Sequence, residues 1–596
     1  MEQSDLSNQL KFCGKVVLVT GSGTGIGQSI AKKFAYNGAS VIILGRRPEP
    51  LEKTASDLKQ IISMVRSNAT VRTFPGVDVS EENSVIEMFK AIKKEFGNID
   101  ILVNNAGVSG PVKLFTNSDF KEYSECVHIH LTGTYWTTIQ CLETLKKNSK
   151  IITISTFFTE ENRWEQRPYR FRTPYTSAQG AKNRLVEALA WELGPFEIKS
   201  VGTNPGPVHS DRIYKTVYPK AAAEFLRIGG YPGFKSSEIN QISPHLLNLL
   251  GEDEQSVHDG LTKILKTFYA GSNETQEDKY AVLKGLLTKI EEIAEKVQAN
   301  TRKMIVGEQF LSQDEVAEMV LNLCQDSITK VINGRIIPND AVFYPVRPII
   351  GTITPTQGES NLSQKVVILI INSTSQKDHD RGRAIADSLE GKVKQLVVLV
   401  NDKKFAEIYK GLHCHSIDLS NETSVKNIFT TARDKFSSIG IVVLLTGQFD
   451  YNVSLLSVGR GGWDVLVQKY LLIPAIITRV AALSMVPLGA IDEPSLFRSS
   501  NGKIIIVGPD APVGKKISGL VRARSEIFRG GLRPFNATVN QELRDVLGSN
   551  IRQHLVLCGN VEGKMPNNNK IIDILMHIMS DNYQGNNQTI LYPDES

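Results

Sequence analysis

One segment of the chain occurs twice. DVSEENSVIEMFKAIKKEFGNIDILVNNAG, residues 78–107, returns from Asp418 onward as DLSNETSVKNIFTTARDKFSSIGIVVLLTG. Asp78 aligns with Asp418, Ser84-Val85 with Ser424-Val425, Phe89 with Phe429, Phe96 with Phe436 and Gly107 with Gly447, without a gap. Upstream, KVVLVTGSGTGIG (15–27) matches KVVILIINSTSQK (365–377), and downstream SKIITIST (149–156) matches GKIIIVGP (502–509). Three collinear matches at similar separation mean two copies of one fold. At 596 residues, 41% hydrophobic and 22% charged, the chain is long and apolar enough to build both.

Each copy alternates apolar runs of strand length with amphipathic helical stretches. In the first, KVVLVTG, ASVIILG, IDILVNNAG and KIITIS read as strands buried on both faces. Residues 25–37, 50–65, 81–96 and 176–193 read as helices. This alternation predicts α/β architecture: two tandem Rossmann-like, doubly wound parallel-sheet domains, the second degenerate. The Gly/Pro-punctuated stretch at 345–363 reads as the connection, giving domains at 1–350 and 351–596. A helical insertion at about 213–305 is not required by the sheet. It reads either as a substrate lid or as an added packing or oligomer element.

The net charge of +5 comes from scattered Lys and Arg, so no nucleic-acid partner is expected. The six cysteines show no C-x-x-C spacing and read as reduced thiols. His413-Cys414-His415 alternates across a strand, so no metal site is expected there. MEQSDLSNQL lacks the blocks of a signal peptide, and no apolar run is read as approaching the roughly 20 residues of a membrane span. The expectation is a soluble cytoplasmic protein, a homo-oligomer and most simply a homodimer, with a small-molecule substrate and no membrane partner.

The first strand runs into Gly21-Ser22-Gly23-Thr24-Gly25-Ile26-Gly27 and then a helix. Glycines there let the backbone turn tightly and approach a pyrophosphate, whose charge meets the helix N-terminus. The second strand ends at Gly45-Arg46-Arg47, where an NAD-binding protein usually places an acid for the ribose hydroxyls. Arginines suit the 2′-phosphate of NADP instead. Asp78 and Val79 are placed to reach the adenine, and Asn105, Ala106 and Gly107 end the fourth strand beside the cofactor.

With Tyr175, Pro205, Gly206 and Val208 these residues resemble the short-chain dehydrogenase/reductase family. Within it, Arg167-Pro168-Tyr169, Pro174-Tyr175-Thr176-Ser177-Ala178, the stretch from Glu192 to Ile198 and Ser210-Asp211-Arg212-Ile213 resemble the thioester-reducing half of two-copy malonyl-CoA reductases. The resemblance implies an NADP(H)-dependent oxidoreductase acting on an acyl-CoA thioester or semialdehyde carbonyl. Tyr175 takes the proton-donor position, and Ser155 or Thr156, with Thr156 preferred, supplies the hydroxyl that holds the oxygen. Two positions depart from the family pattern. Gln179 stands where a Lys belongs, and His130 where an Asn belongs.

A cation beside a phenol stabilises phenolate, and a neutral Gln does not. Its loss penalises oxidation, where Tyr is the base, more than reduction, where Tyr is the acid. Lys182, seven residues after Tyr175, shares the helix face but lies about 10 Å along the axis. His130 reads either as a proton relay or as a hydrogen-bonded helix histidine. Of the arginines near Tyr175, Arg172 and Arg212 are the substrate-contact candidates for a carboxylate or phosphate. In the second copy Ile371, Ser375 and Lys377 replace Gly21, Gly25 and Gly27, and Gly508-Pro509 replaces Ser155-Thr156. That copy is expected to lack a cofactor site. The alternative for the whole chain is a cofactor-binding partner subunit without turnover.

Overall fold

The computed structural model describes residues 10–157, 170–208, 217–270, 276–341, 362–436, 438–513, 517–561, 567–580 and 588–591. In the first copy the strands are β1 Val16–Thr20, β2 Ser40–Gly45, β3 Val71–Pro75, β4 Ile99–Asn104, β5 Leu145–Ile154, β6 Lys199–Pro205 and β7 Ile336–Asn339. They form one parallel sheet in the order β3-β2-β1-β4-β5-β6-β7. Its helices are α1 Gly25–Tyr36, α2 Pro48–Met64, α3 Glu82–Phe96, α4 Phe120–Val127, α5 Gly133–Cys141 and α6 Thr173–Leu193. The insertion contributes α7 Tyr218–Gly229, α8 Ser236–Leu247, α9 Glu254–Phe268 and α10 Gln276–Arg302, followed by α11 Gln313–Leu323 and α12 Asp326–Ile332.

The second copy repeats the plan. Strands β8 Val366–Ile371, β9 Gln395–Val400, β10 His413–Ser416, β11 Ile439–Leu445, β12 Asn501–Val507 and β14 Asn550–Val561 lie in the order β10-β9-β8-β11-β12-β14, with β13 Ala511–Val513 and β15 Gln588–Leu591 paired to β14. Its helices are α13 Gln376–Leu389, α14 Glu422–Phe436, α15 Gly459–Val467, α16 Ile473–Ser484, α17 Gly519–Gln541 and α18 Asn568–Met579. Each sheet reverses direction of winding between its first strand and its fourth, β1/β4 and β8/β11. The crevice beyond the carboxyl ends there is where such sheets take ligands.

Strand parity divides the core. Val17, Val19 and Ile43 point to one face and pack with Ile30 and Phe34 of α1 and Val320 of α11. Leu18, Leu102 and Ile151 point to the other face. There they join Leu185 and Leu189 of α6, Phe535 and Val539 of α17, and Ile368, Val442 and Ile504 of the second sheet. One apolar core therefore runs through both copies, because period-2 side chains of both sheets face the same helix pair. Small residues let that pair approach closely: a Cβ on Gly531 would stand 3.0 Å from the Ser177 carbonyl and 3.2 Å from the Ala181 Cβ. Tyr135 stacks on Trp463 with ring centroids 3.8 Å apart and donates its hydroxyl to the Leu455 carbonyl at 2.8 Å.

Several expectations are corrected. The strand expected at IDILVNNAG stops at Asn104 because the Asn105 and Ala106 amides turn to Thr20 Oγ1 at 2.9 and 2.8 Å. Strand β3 is half-exposed, and VRTFP lacks the continuous apolar run of its neighbours. Gly459–Ser484 is continuous helix, long and apolar enough by length and composition to cross a membrane. Gln468-Lys469 and Pro474 interrupt its apolar run in the sequence. In the fold 72% of its apolar window is buried in the shared core. The expected connection lies outside the described residues except for 362 and 363.

The insertion builds a core of its own from Leu226, Ile239, Leu261, Leu265, Leu283, Leu286 and Ile290. It is fixed to the rest through a buried pair in α7. Arg227 donates to both Glu224 oxygens at 2.7 and 2.8 Å, and Glu224 accepts the Leu114 amide at 3.0 Å.

Candidate active site

The glycine-rich loop sits at the β1/β4 switch point and opens α1. Gly21 and Gly25 have φ of +65° and +68°, a region that favours glycine. A Cβ on Gly21 would lie 2.8 Å from the Ala106 Cα, and one on Gly27 would strike the Asn105 side chain and the Gly21 carbonyl. A Cβ on Gly25 would meet nothing within 4 Å, so the space over the helix N-terminus is open. The first turn of α1 carries no acidic residue. An open, positively polarised helix start with glycine at its mouth fits a pyrophosphate.

Two residues expected at the cofactor turn their side chains to the loop itself. Ser22 is fully buried and its hydroxyl donates to the Val19 carbonyl at 2.9 Å while accepting the Leu44 amide at 3.1 Å. The Asn105 side chain donates to the Thr20 and Gly21 carbonyls at 3.0 and 3.2 Å. At the end of β2, Arg46 and Arg47 are exposed, with Arg46 3.5 Å from Asp78 and Arg47 3.5 Å from Thr24. Asp78 accepts both the amide and hydroxyl of Ser80, at 2.9 and 2.6 Å, and Asp418 makes the same pair with Ser420 at the same distances. The repeat thus preserves a turn as well as a sequence. Val79 is buried against Gly133, whose missing side chain leaves room for it.

The expected catalytic residues converge at the carboxyl ends of β4 and β5. Ser155 follows β5 and its hydroxyl lies 3.3 Å from both the main-chain and side-chain oxygens of Gln179. Gln179 is buried on α6, one turn beyond Tyr175, so position 179 carries an amide where the family pattern has a cation. Thr156 is buried beside Ser155. Tyr175, near the start of α6, is half-exposed in an otherwise buried run. The His130 ring stands edge-on to it at 5.1 Å. Pro205 ends β6, Gly206 packs against Asp340, and Val208 bridges to Leu311.

His130 lies in a π-helical turn, His128–Thr132, between α4 and α5, and Tyr470 holds the matching place in the turn Gln468–Leu472. His130 Nε2 is 2.8 Å from the Val108 carbonyl, and the Tyr470 hydroxyl bonds the equivalent Gln448 carbonyl. Both copies use this position to hold the loop after the fourth strand.

Arg172 does not project as a free substrate ligand. Its guanidinium lies 3.9 Å from the Tyr175 ring centroid and donates to the Ser109 carbonyl at 2.6 Å. A cation therefore does sit beside the phenol, delivered from before the helix rather than from position 179. Arg212, with Arg163 and Arg167, lies outside the described residues. Lys182 is fully buried with no carboxylate in ion-pair range among the described residues, and burial pushes its pKa down to about 7.

In the second copy the start of the matching helix carries an acid. Asp378, in the first turn of α13, accepts the Ser373 hydroxyl at 2.5 Å and the Gln448 amide at 3.2 Å. A carboxylate thus occupies the helix start where the first copy is open.

Glu542, which sequence reasoning missed, also reaches the first copy's site. Extending the repeat along the long helix aligns Gly180 with Gly530 and Glu192-Leu193 with Glu542-Leu543, a signal present in the sequence but weak.

A parallel sheet with a glycine-lined switch point is a doubly wound nucleotide-binding fold, and comparison with known proteins places it. A family model described as short chain dehydrogenase matches residues 15–218. An uncharacterized oxidoreductase of Thermotoga maritima is 33% identical over 244 residues, spanning 41% of this chain and 90% of that protein. Another from Staphylococcus epidermidis is 29% identical over 196 residues, 33% of this chain and 78% of that protein. The chain belongs to the short-chain dehydrogenase family and is an oxidoreductase of that type.

The whole two-copy chain is similar in fold to the C-domain of a bacterial malonyl-CoA reductase solved with NADP, with TM-score 0.71 and 15% identity over 98% of this chain and 99% of that one. The N-domain of a bacterial malonyl-CoA reductase, also with NADP, gives 0.68 and 15% identity over 98% of each chain.

Proposed function

We propose that the first copy is an NADP(H)-dependent reductase of a carbonyl or acyl-CoA thioester, malonyl-CoA being the first candidate, and that the second copy is a structural partner without a cofactor. The observation that carries this reading is the half-exposed Tyr175 one helical turn before Gln179, which Ser155 touches, on a sheet whose switch point carries an open glycine-lined helix start. The Gly23–Gly27 backbone would hold the pyrophosphate, Arg46 and Arg47 the 2′-phosphate, Asp78 and Val79 the adenine, and Ala106, Gly107, Pro205, Gly206 and Val208 the nicotinamide half. A nicotinamide dinucleotide supplies the hydride when bound. Tyr175 donates a proton from its hydroxyl to the substrate oxygen, and Ser155 or Thr156 steadies that oxygen as charge develops. Arg172 holds the phenol ring in place. Asp378 is the reason for assigning no cofactor to the second copy, since its charge opposes a phosphate. A reducing cytoplasmic setting suits six free cysteines.

The test is NADPH oxidation with malonyl-CoA by wild type and Tyr175→Phe. Turnover that falls by about 10²-fold or more in the variant, with NADPH binding retained, is the expected result. Absence of wild-type turnover on malonyl-CoA and on a panel of aldehydes and ketones, despite NADPH binding, removes the enzyme reading. That result would favour a cofactor-binding partner subunit, which the amide at position 179 independently supports.

A further inference from the structure

Glu542 belongs to the second copy but its carboxylate lies wholly within contacts to the first. It is fully buried. One oxygen accepts the Phe115 amide at 2.8 Å, and the other accepts the Phe171 amide at 2.8 Å and faces the Thr173 hydroxyl at 3.4 Å. Glu192, its counterpart in the repeat, accepts the amide of Leu455, the counterpart of Phe115, at 2.9 Å. The two copies thus hold one another by the same bond.

The asymmetry lies in what surrounds each acid. Glu192 is paired with Arg524 at 2.5 Å. No basic side chain among the described residues pairs with Glu542. Its titratable neighbours are Glu224 of α7, itself held by Arg227, and Tyr123 of α4. Burial and Glu224 push its pKa up to about 8, against the pull of the two amides. A carboxyl group buried without a counter-charge is costly, so the fold retains it for what it holds.

What it holds is strained. Phe171 has φ of +67°, a region that an aromatic side chain disfavours. Its amide is bonded to Glu542 and its carbonyl to the Lys113 amide at 2.9 Å. The next residue is Arg172, packed on Tyr175. We propose that Glu542 is a positioning residue for the first copy's site, fixing the Phe171–Tyr175 segment from across the domain boundary so that Arg172 and Tyr175 are presented together. This rests on reading Tyr175 as the proton donor. The second copy then completes the site of the first.

The test compares full-length wild type, Glu542→Leu and Glu542→Gln by hydrogen-exchange mass spectrometry, NADPH titration and malonyl-CoA kinetics. Leu removes both acceptors, whereas Gln keeps one. In Glu542→Leu, exchange rises at least tenfold in peptides carrying Phe115 and Phe171 and not elsewhere. Its kcat falls at least tenfold with KM for NADPH within twofold, and Glu542→Gln lies between it and wild type. Unchanged exchange at those peptides, or deprotection spread through both copies with the NADPH constant lost, overturns the proposal. Should wild type not turn over, the proposed reduction fails while the exchange result still decides this inference. Should neither variant fold, the wild-type protein answers: Phe115 and Phe171 amides as slow as strand amides uphold it, and exchange as fast as exposed loops overturns it.

Discussion

Gly180 of α6 and Gly530 of α17 lie back to back where the two copies meet. A Cβ on Gly530 would stand 3.0 Å from the Gly180 carbonyl, and a Cβ on Gly180 would strike that of Gly530. Each is followed twelve residues later by a glutamate that reaches into the other copy, Glu192 and Glu542. The contact thus sits on a local two-fold relation between copies that no longer share a chemistry.

The first prediction concerns that contact. Gly530→Val places a branched side chain against backbone that cannot yield, and overpacking of this kind costs about 1–3 kcal/mol or more. We expect the melting temperature to fall by about 1–3 °C in a thermal scan. A variant that melts with wild type shows that the helices can separate freely.

Cofactor choice follows from Arg46 and Arg47, exposed at the end of β2. Charge-assisted hydrogen bonds contribute about 1.5–3 kcal/mol, so Arg46→Ala with Arg47→Ala weakens NADPH binding about 10- to 100-fold. NADH binding, which lacks the 2′-phosphate, changes less than threefold. Fluorescence titration with both cofactors measures the ratio, and equal losses contradict the assignment.

Gln179→Lys restores a cation one turn beyond Tyr175. It favours phenolate and so aids the direction in which Tyr175 is a base. Oxidation of the alcohol product with NADP⁺ is expected to rise about tenfold for each pKa unit gained. Reduction with NADPH gains less. A ratio of the two rates unchanged from wild type shows that Arg172 already supplies the required charge.

Lys182 links stability to pH. Its folded pKa of about 7 lies below the unfolded value near 10.5. Between these values the unfolded chain holds a proton that the folded chain has released. Its contribution therefore rises with pH across about 7 to 10 and is lost as pH falls through 7. Lys182→Met removes that slope. Thermal scans at pH 7 and pH 9.5 should show wild type gaining on the variant as pH rises, and parallel behaviour refutes the burial argument.

Much of the site was legible because it depends on local backbone chemistry. The glycines of 21–27 lie between β1 and α1, the arginines follow β2 and Tyr175 stands at the head of a helix, positions decided by residues close in sequence. At Ser22 and Asn105 the same locality leaves the role of the side chain open. A motif marks a loop without saying whether a polar side chain faces a ligand or braces the turn, and both brace it. Arg172 was expected at the substrate. It packs on Tyr175 because its helix start is turned inward by a left-handed Phe171, a conformation no local pattern announces.

The sequence by itself determined the repeat, the parallel α/β copies and the decay of the second glycine loop, since each is written in period-2 and helical patterns or in the presence of glycine. Tertiary structure alone decided that Gly459–Ser484 is buried core, that Asp378 bonds Ser373 and Gln448 at the start of its helix, and that Glu542 enters the site of the other copy. Those outcomes depend on which faces meet when the two sheets share one helix pair. That contact joins residues more than three hundred positions apart, beyond the reach of any local rule.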